Sequence, residues 1–218
     1  MDLMQRRRVM LAAGKRSRLP RDYQEVEYLK SSGTQYIDTT CVLNSACKIM
    51  GKMRVAVSLP NEVFGITGAR DRTTYKNNIS MYNVTMAPRV DFGKTLNVWS
   101  GSYDAWLVEF LIGKRSEING QVYLFSDDTV PFTCTSSALI FAVNNSGEPD
   151  SRMAHGSLYY FRILDETDTF VRDLVPCYRK SDHKPGMYDL CGSICSRTNS
   201  PFYVNAGTGE FLVGPEVN

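Results

Sequence analysis

Histidine is scarce in this sequence, with only His155 and His183 among 218 residues. Each lies in polar surroundings just outside a predicted strand, so we expect both side chains to be exposed. Cys177 and Ser181 are near His183, but no recognised motif of a serine or cysteine nucleophile surrounds them. The sequence therefore gives little support to nucleophilic catalysis that depends on a histidine base.

Long apolar runs are also absent, because no stretch approaches the roughly 20 residues that a transmembrane helix requires. Residues 1–8 are basic, but the apolar run 9–13 is shorter than the roughly 7 to 15 residues of a signal-peptide core. The net charge of +2 gives no electrostatic case for nucleic acid or an anionic membrane as a partner. We therefore expect a soluble protein made in the cytoplasm, without a signal peptide and without membrane insertion.

The six cysteines do not form a disulfide framework. They are scattered at positions 41, 47, 134, 177, 191 and 195. A domain of this length does not need covalent staples, so we expect reduced thiols, with a disulfide after release from a cell left open. Cys191 and Cys195 do not have the usual tight spacing of a zinc knuckle, and no second Cys/His pair follows them, so we predict no metal there.

The alternating carboxylates that retaining glycanases carry on one strand are missing as well. Glu25 and Glu27 alternate, but the next residue on that face is Leu29. We expect the two glutamates to form a solvated face beside Arg21 or Lys30. The chain is therefore predicted not to be an enzyme.

What the sequence does contain is strand-forming pattern. Residues 156–164 are aromatic and β-branched on both faces, which predicts a central buried strand. The acidic turn 165–168 leads into a second apolar run, 170–175. We expect Pro176 to end that run, because proline cannot donate a hydrogen bond to a ladder. The two runs together predict a hairpin.

Further strands are predicted along the chain. Residues 48–58 give the clearest period-two alternation, with Ile49, Gly51, Met53, Val55 and Val57 on one face. Other strands are predicted at 63–66, 79–84, 98–112, 121–125 and 138–143. We expect both faces of 98–112 to be largely buried. A long polar loop is predicted at 68–78, a hairpin turn at Asn119 and Gly120, and a further turn at 144–147. We count roughly ten to fourteen strands, with turns about every 8 to 12 residues, which predicts an all-β protein.

The N-terminal segment 1–18 has a different pattern, since Leu3 and Met10, and likewise Met4 and Leu11, recur at a spacing of seven between basic residues. That pattern predicts one short amphipathic helix, which Pro20 ends. Three interpretations stay open: a solvated terminal helix, an attachment or oligomerisation segment, and a basic arm for nucleic acid.

Two parts of the sequence resemble one family. The run GSLYYFRI, the later VRDLVPCYRKSDHKPGMYDL and the closing FYVNAGTGEF, together with the start 19–39, resemble the concanavalin A-like (laminin-G-like) jelly-roll domains of phage and prophage virion proteins. The resemblance spans residues 19–214 and is specific at its two ends. It implies an antiparallel two-sheet jelly-roll β-sandwich over 19–218, with the strand near Val26 close to a C-terminal hairpin around 202–211.

The same resemblance implies a virion appendage, such as a tail-associated or fiber-like protein of a phage of gut-type bacteria, located in the virion. We predict a non-catalytic adhesion module that binds host-surface carbohydrate or protein, with other virion proteins bound through segment 1–18 and a homotrimer as the assembly. A purely structural decoration protein and a polysaccharide-degrading glycosidase are the alternatives.

Candidate ligand-binding residues are exposed aromatic and polar side chains on loops, because sugars stack on aromatic faces and bond through their hydroxyls. They are Tyr75, Asn77 and Asn78 in one loop and Trp99, Tyr103 and Asp104 in another, with burial in the core as the alternative for the tryptophan. Relatives of the family often hold Ca²⁺, but the loop acids Asp127, Asp128, Asp150, Asp165 and Asp168 match no ligand pattern. We therefore leave calcium unassigned and predict no other cofactor.

Overall fold

The computed structural model describes residues 18–56, 62–74, 76–84, 87–98, 107–125, 131–192 and 200–217. The regular elements in these ranges are all strands, and they form two sheets, which confirms the all-β prediction. The predicted helix 1–18 lies outside the described residues except for Arg18. Nineteen strands are found in the described part of the chain, more than predicted, because many have only two to four residues.

The first sheet has eleven strands. They are β1 (Tyr23–Glu25), β2 (Leu29–Ser32), β4 (Lys48–Ala56), β9 (Leu107–Ile112), β10 (Arg115–Ile118), β11 (Gln121–Leu124), β15 (His155–Leu164), β16 (Phe170–Arg179), β17 (Lys184–Asp189), β18 (Phe202–Val204) and β19 (Leu212–Val213). Their order is β11-β10-β9-β4-β15-β16-β17-β18, with β1 beside β16, β2 beside β15, and β19 beside β2.

The second sheet has eight strands. They are β3 (Ile37–Asn44), β5 (Val63–Arg70), β6 (Ile79–Val84), β7 (Ala87–Phe92), β8 (Thr95–Val98), β12 (Thr133–Ile140), β13 (Asn144–Asn145) and β14 (Glu148–Pro149). The order is β14-β13-β5-β6-β7-β8, and β12 pairs with both β3 and β5. The described pairs are antiparallel except that β13 runs parallel to β5, which departs from the predicted wholly antiparallel arrangement.

The predicted central hairpin is confirmed. β15 lies between β4 and β16, with Ile163 opposite both Ile49 and Arg172. The side chain of Asp165 accepts hydrogen bonds from the backbone N–H groups of Thr167 and Thr169, which fixes the turn between the two strands.

The prediction that Pro176 ends its strand is wrong, because β16 continues to Arg179 with Pro176 opposite Met187. The carbonyl of Pro176 accepts the N–H of Val26, so its ring nitrogen faces the same neighbour. The pairing of β16 with β15 ends at Leu174, and the pairing of β16 with β1 begins at Cys177. The ladder therefore requires no donor where the proline stands.

One buried hydrophobic cluster forms the core and includes residues of both sheets. Alternate residues of β4 are buried as predicted, up to Ala56. Gly51 lies on that buried face, and the position suits a glycine because a Cβ there would lie 2.5 Å from the ring of Phe110 in β9. The opposite face of β9 is not buried as predicted, since Leu107 is 44% exposed.

Two further expectations need correction. The strand predicted at 138–143 ends at Ile140, because Phe141 takes a left-handed backbone conformation with φ of 68°. The N-terminal strands do lie close to the C-terminal region, but their backbone pairing there is with residues after 211: Val26 bridges Glu216, and β2 pairs with β19.

Candidate functional site

The structure places the predicted site residues in different environments. Tyr75, Trp99, Tyr103 and Asp104 lie outside the described residues. Asn77 is half-buried, whereas Asn78 is fully buried. The amide of Asn78 accepts the N–H of Asp71 at 2.9 Å and donates to the carbonyl of Gly93 at 2.7 Å. Asn78 is thus not on the exposed surface expected of it, because its side chain holds a loop to its neighbouring strands.

That loop, residues 71–78, connects β5 to β6 and is shorter than predicted. Asp71 fixes its first turn, since its carboxylate accepts the N–H groups of Thr73 and Thr74 and also the Thr74 hydroxyl. The N–H of Arg72 donates to the Ser146 hydroxyl at 2.9 Å, which joins the loop to the β13–β14 turn. The loop 71–78 and the β13–β14 turn are therefore connected, and together we call them the rim.

The hydroxyl of Thr74 is the main reason that the pKa of Asp71 lies below its ordinary value of 3.8. A lowered folded-state pKa contributes stability above pH of about 4, and this contribution is lost as the pH falls through the lower value. We expect Thr74→Val to raise the pKa of Asp71, measured by NMR titration of the carboxyl carbon. Thr73→Val keeps the backbone N–H and should leave that pKa in place; an equal shift in both variants would contradict the assignment.

Beside this rim, the outer face of the second sheet carries a cluster of charged and aromatic side chains. Ile79, Met81, Val90 and Phe92 point into the core, so the residues that alternate with them point outward. Tyr82 of β6 lies directly opposite Arg89 of β7, and Ser80 lies opposite Asp91. Arg70 ends β5 on the same face. We call Arg70, Tyr82, Arg89 and Asp91 the arginine-tyrosine cluster.

The guanidinium of Arg89 donates a hydrogen bond from Nη2 to Oδ2 of Asp91 at 3.1 Å, and its Nε lies in ion-pair contact with Oδ1 at 3.0 Å. The same guanidinium lies over the ring of Tyr82, 4.7 Å from its centroid. The guanidinium carbon of Arg70 lies 5.7 Å from the centroid of the same ring, and its Nε lies 3.9 Å from Asp91 Oδ2. Asp91 thus holds both guanidinium groups beside one aromatic ring.

Burial shapes the electrostatics of this cluster. Asp91 is fully buried, and burial raises its pKa while the two arginines oppose that rise. Burial also raises the pKa of Tyr82, so its hydroxyl stays protonated. The side chains of Arg70 and Arg89 are each 18% exposed. The two guanidinium groups are therefore mostly buried, each with a small accessible part, and their counter-charge is buried with them.

Sequence reasoning missed this cluster because strand β7 was not predicted. Residues 89–92, Arg-Val-Asp-Phe, alternate polar and apolar side chains, which is the signal of a half-buried strand. The four-residue length made that signal weak. Only the pairing of β6 with β5 and β7 shows that Arg70 shares a face with Arg89.

A groove of about 570 Å³ lies elsewhere, at the β3–β4, β9–β10 and β15–β16 turns. Its lining includes Cys47, Lys48, Arg115, Phe125 and Glu166. Lys48 pairs with Asp168, and Arg115 pairs with Glu117. Because these cations already have carboxylate partners, the groove shows no clear preference for a charged ligand.

Groups considered for catalysis have other roles in the structure. The expected solvated face at Glu25 is wrong, because Glu25 is buried and binds the Arg18 guanidinium at 2.8 Å. His183 is exposed and stacks on Tyr178, whereas His155 is half-buried against Gly33. Neither arrangement provides a nucleophile with a base.

The cysteines of the described ranges, at 41, 47, 134, 177 and 191, are not in disulfides, and Cys195 lies outside those ranges. Burial raises the pKa of Cys47, and it raises the pKa of Cys134 and of Cys177 to about 12. Thiols with such pKa values are poor nucleophiles at neutral pH.

Within the described parts of the chain, no group of three or more His, Cys, Asp or Glu side chains is arranged to hold a metal ion. Of the acids considered for calcium, Asp165 caps a turn and Asp168 binds Lys48, while Asp127 and Asp128 lie outside the described residues. Over the same described ranges, no helix has the length and apolarity needed to cross a bilayer.

Comparison with known proteins found no matching family model and no matching curated protein. The NanB sialidase of Streptococcus pneumoniae, in complex with a chlorobenzyl-ammonio ethanesulfonate, is similar with a TM-score of 0.40 and 12% identity. That match covers 89% of this chain and 40% of the sialidase chain. A structure of NanB with Optactamide gives a TM-score of 0.36 and 12% identity, covering 81% of this chain and 38% of that one. The chain thus spans about two fifths of the length of these sialidases.

Proposed function

We propose that this chain is a non-catalytic adhesion module of a phage or prophage virion appendage, which binds host-surface carbohydrate or protein. The observation that carries the proposal is the arginine-tyrosine cluster on the outer face of the second sheet. Its two guanidinium groups are held in place before any ligand arrives, because Asp91 and Tyr82 fix them. Preorganised donors lose little entropy on binding, which suits a small polar ligand such as a sugar.

A carbohydrate fits this surface in two ways. A planar guanidinium donates in-plane hydrogen bonds, and sugar hydroxyls or a sugar carboxylate can accept them. The rim beside the cluster offers further polar groups, including the half-buried Asn77 and the Asn145 amide, whose oxygen lies 3.4 Å from the Tyr82 hydroxyl. The site thus combines cations with amides at one edge of a rigid sheet.

The fold that we propose is a concanavalin A-like jelly-roll β-sandwich over 19–218. Two features support the sandwich. One core cluster draws residues from both sheets, and Arg172 of the first sheet donates to the carbonyl of Thr39 in the second. Chain ends paired through β2 and β19 suit a domain that a neighbouring segment presents as a unit.

Segment 1–18 is proposed to attach the domain to other virion proteins and to assemble a homotrimer. Several copies displayed together raise the apparent affinity through avidity, so that each site can be weak. A structural decoration protein without a ligand is the second candidate, because the cluster also satisfies its own charges internally.

Binding of multivalently displayed, fluorescent protein to intact bacteria and to an array of bacterial surface glycans tests the proposal. Saturable binding without release of reducing ends is expected. Arg70→Gln removes one guanidinium and should weaken binding by about tenfold or more, the range for a hydrogen bond to a charged group. Arg54→Gln is the matched control, since Arg54 is exposed on β4 of the other sheet.

Three results would contradict parts of this proposal. Binding that is equal in the two variants would remove the cluster from the site. Absence of binding to every surface would favour structural decoration instead. Release of sugar reducing ends would show a glycosidase.

A further inference from the structure

The first sheet carries a second aromatic surface, on the face opposite to the one that lies against the core cluster. Leu174, Met187 and Tyr203 point into the core from β16, β17 and β18. Residues in the alternate register point the other way, and they include Tyr23, Arg179, Tyr188 and Phe202, which face one another across four neighbouring strands. We call these four residues the tyrosine platform.

The rings of the tyrosine platform contact one another. The centroid of the Tyr23 ring lies 4.8 Å from that of Tyr188 and 5.0 Å from that of Phe202. Phe202 is buried beneath, since Gly186 leaves room for it; a Cβ at Gly186 would lie 2.8 Å from the ring. Tyr23 and Tyr188 remain partly exposed, so their rings form the accessible part of the surface.

Charged groups stand at the edge of these rings. The guanidinium carbon of Arg179 lies 5.6 Å from the ring centroid of Phe202. The same guanidinium donates two hydrogen bonds to Asp182, from Nε to Oδ1 at 3.0 Å and from Nη2 to Oδ2 at 2.6 Å. The pKa of Asp182 falls to about 2 because of that contact, so the carboxylate stays charged at neutral pH. Both side chains are accessible, at 42% and 45%. Fixed donors and acceptors therefore border an apolar ring surface.

We propose that the tyrosine platform is a second carbohydrate site, which takes the apolar C–H face of a pyranose ring and binds its hydroxyls through Arg179 and Asp182. A pyranose has an apolar face and a polar rim, and the platform offers the same two chemistries side by side. This inference rests on the proposed adhesive function, but it uses a different sheet and different residues. One chain would then hold two sugar sites on opposite outer faces.

The packing explains why these rings are not simply core. Tyr23, Tyr188 and Phe202 do not belong to the main buried cluster, which lies on the other side of the sheet. Strands β1, β16, β17 and β18 fix the platform through continuous ladders, so the rings need little reordering to bind a ligand.

Saturation-transfer NMR with methyl glycosides of glucose, galactose, N-acetylglucosamine and galacturonic acid tests the site. Saturation is expected on the ring C–H protons of at least one glycoside. Tyr188→Leu keeps an apolar side chain but removes the aromatic face, and it should weaken that binding by about tenfold, the upper part of the range for an aromatic contact. Arg179→Ala should weaken it as well.

Tyr159→Leu is the matched control, because Tyr159 is also a partly exposed tyrosine of the first sheet and has one aromatic neighbour, Tyr28. Thermal unfolding of each variant shows whether the fold is kept. Loss of saturation in Tyr188→Leu and weaker saturation in Arg179→Ala, with Tyr159→Leu unchanged, support the site. Equal saturation in wild type, Tyr188→Leu and Arg179→Ala overturns it, and so does no saturation with any glycoside. If the full chain still binds the glycan array through Arg70, the adhesive function stands without this second site.

Discussion

Replacing Asp189 with alanine is expected to lower the free energy of unfolding by about 3–5 kcal/mol, the cost of breaking a buried ion pair from one side. Asp189 is fully buried, and its Oδ2 lies 3.7 Å from the Nε of Arg172, which is itself 1% exposed. Alanine at 189 would leave a guanidinium in the core without its carboxylate. Urea unfolding followed by circular dichroism measures the change.

The position of Arg172 is the reason for so large an effect. It lies on the core face of β16 and donates to the carbonyl of Thr39 and the hydroxyl of Thr40, both in β3 of the second sheet. Asp189 also accepts the N–H groups of Asp173 and Cys191, so its loss removes backbone partners too. One buried pair thus links the two sheets and the end of β17.

Asp182→Ala provides the control, because it breaks an ion pair of the same type at the surface. Exposed pairs contribute little to stability because water screens them, so this variant should unfold almost as the wild type does. Equal stability of Asp189→Ala and Asp182→Ala would show that Arg172 reaches water or another partner when Asp189 is lost.

Asp91→Ala is expected to lower the free energy of unfolding by about 2–4 kcal/mol and to abolish array binding. The estimate lies below the full cost of a broken buried pair because the two arginines retain some contact with water. Without Asp91, the guanidinium groups of Arg70 and Arg89 repel each other and lose their fixed positions. Stability is measured by urea unfolding, and binding is measured on the glycan array at a temperature where the variant is folded.

Ser80→Ala is the matched control for this experiment. The Ser80 hydroxyl donates to the same carboxylate, but at 3.5 Å, so its removal should cost less than about 1 kcal/mol and leave binding in place. Undiminished binding by a folded Asp91→Ala protein would mean that the arginines do not need their shared carboxylate to recognise a ligand.

Local pattern was enough for much of the fold. The alternation of β4 and the acidic turn between β15 and β16 were both predicted correctly. The Asn119 and Gly120 turn is confirmed too, with positive φ at both residues. These features depend on a residue and its near neighbours, because side chains alternate every two residues and turn residues set their own φ. The all-β class follows from them.

Long-range pairing decided the rest. Pro176 continues a strand because its neighbour changes from β15 to β1 at that point, which no local rule can show. Asn78 is of a residue type that is common in binding loops, yet its amide donates a hydrogen bond to the carbonyl of Gly93. Arg172 pairs with the carboxylate of Asp189, 17 positions further along the chain, and donates to the carbonyl of Thr39 in the other sheet.

The two proposed sugar sites illustrate the same division. The sequence shows aromatic and charged residues in strands, and that is sufficient to predict sheets with polar outer faces. It does not show which of those residues meet, because only the register of the paired strands brings Tyr23 beside Tyr188 and Arg70 beside Arg89. Composition and alternation thus specify the strands, whereas sheet order and register place the side chains that can form a site.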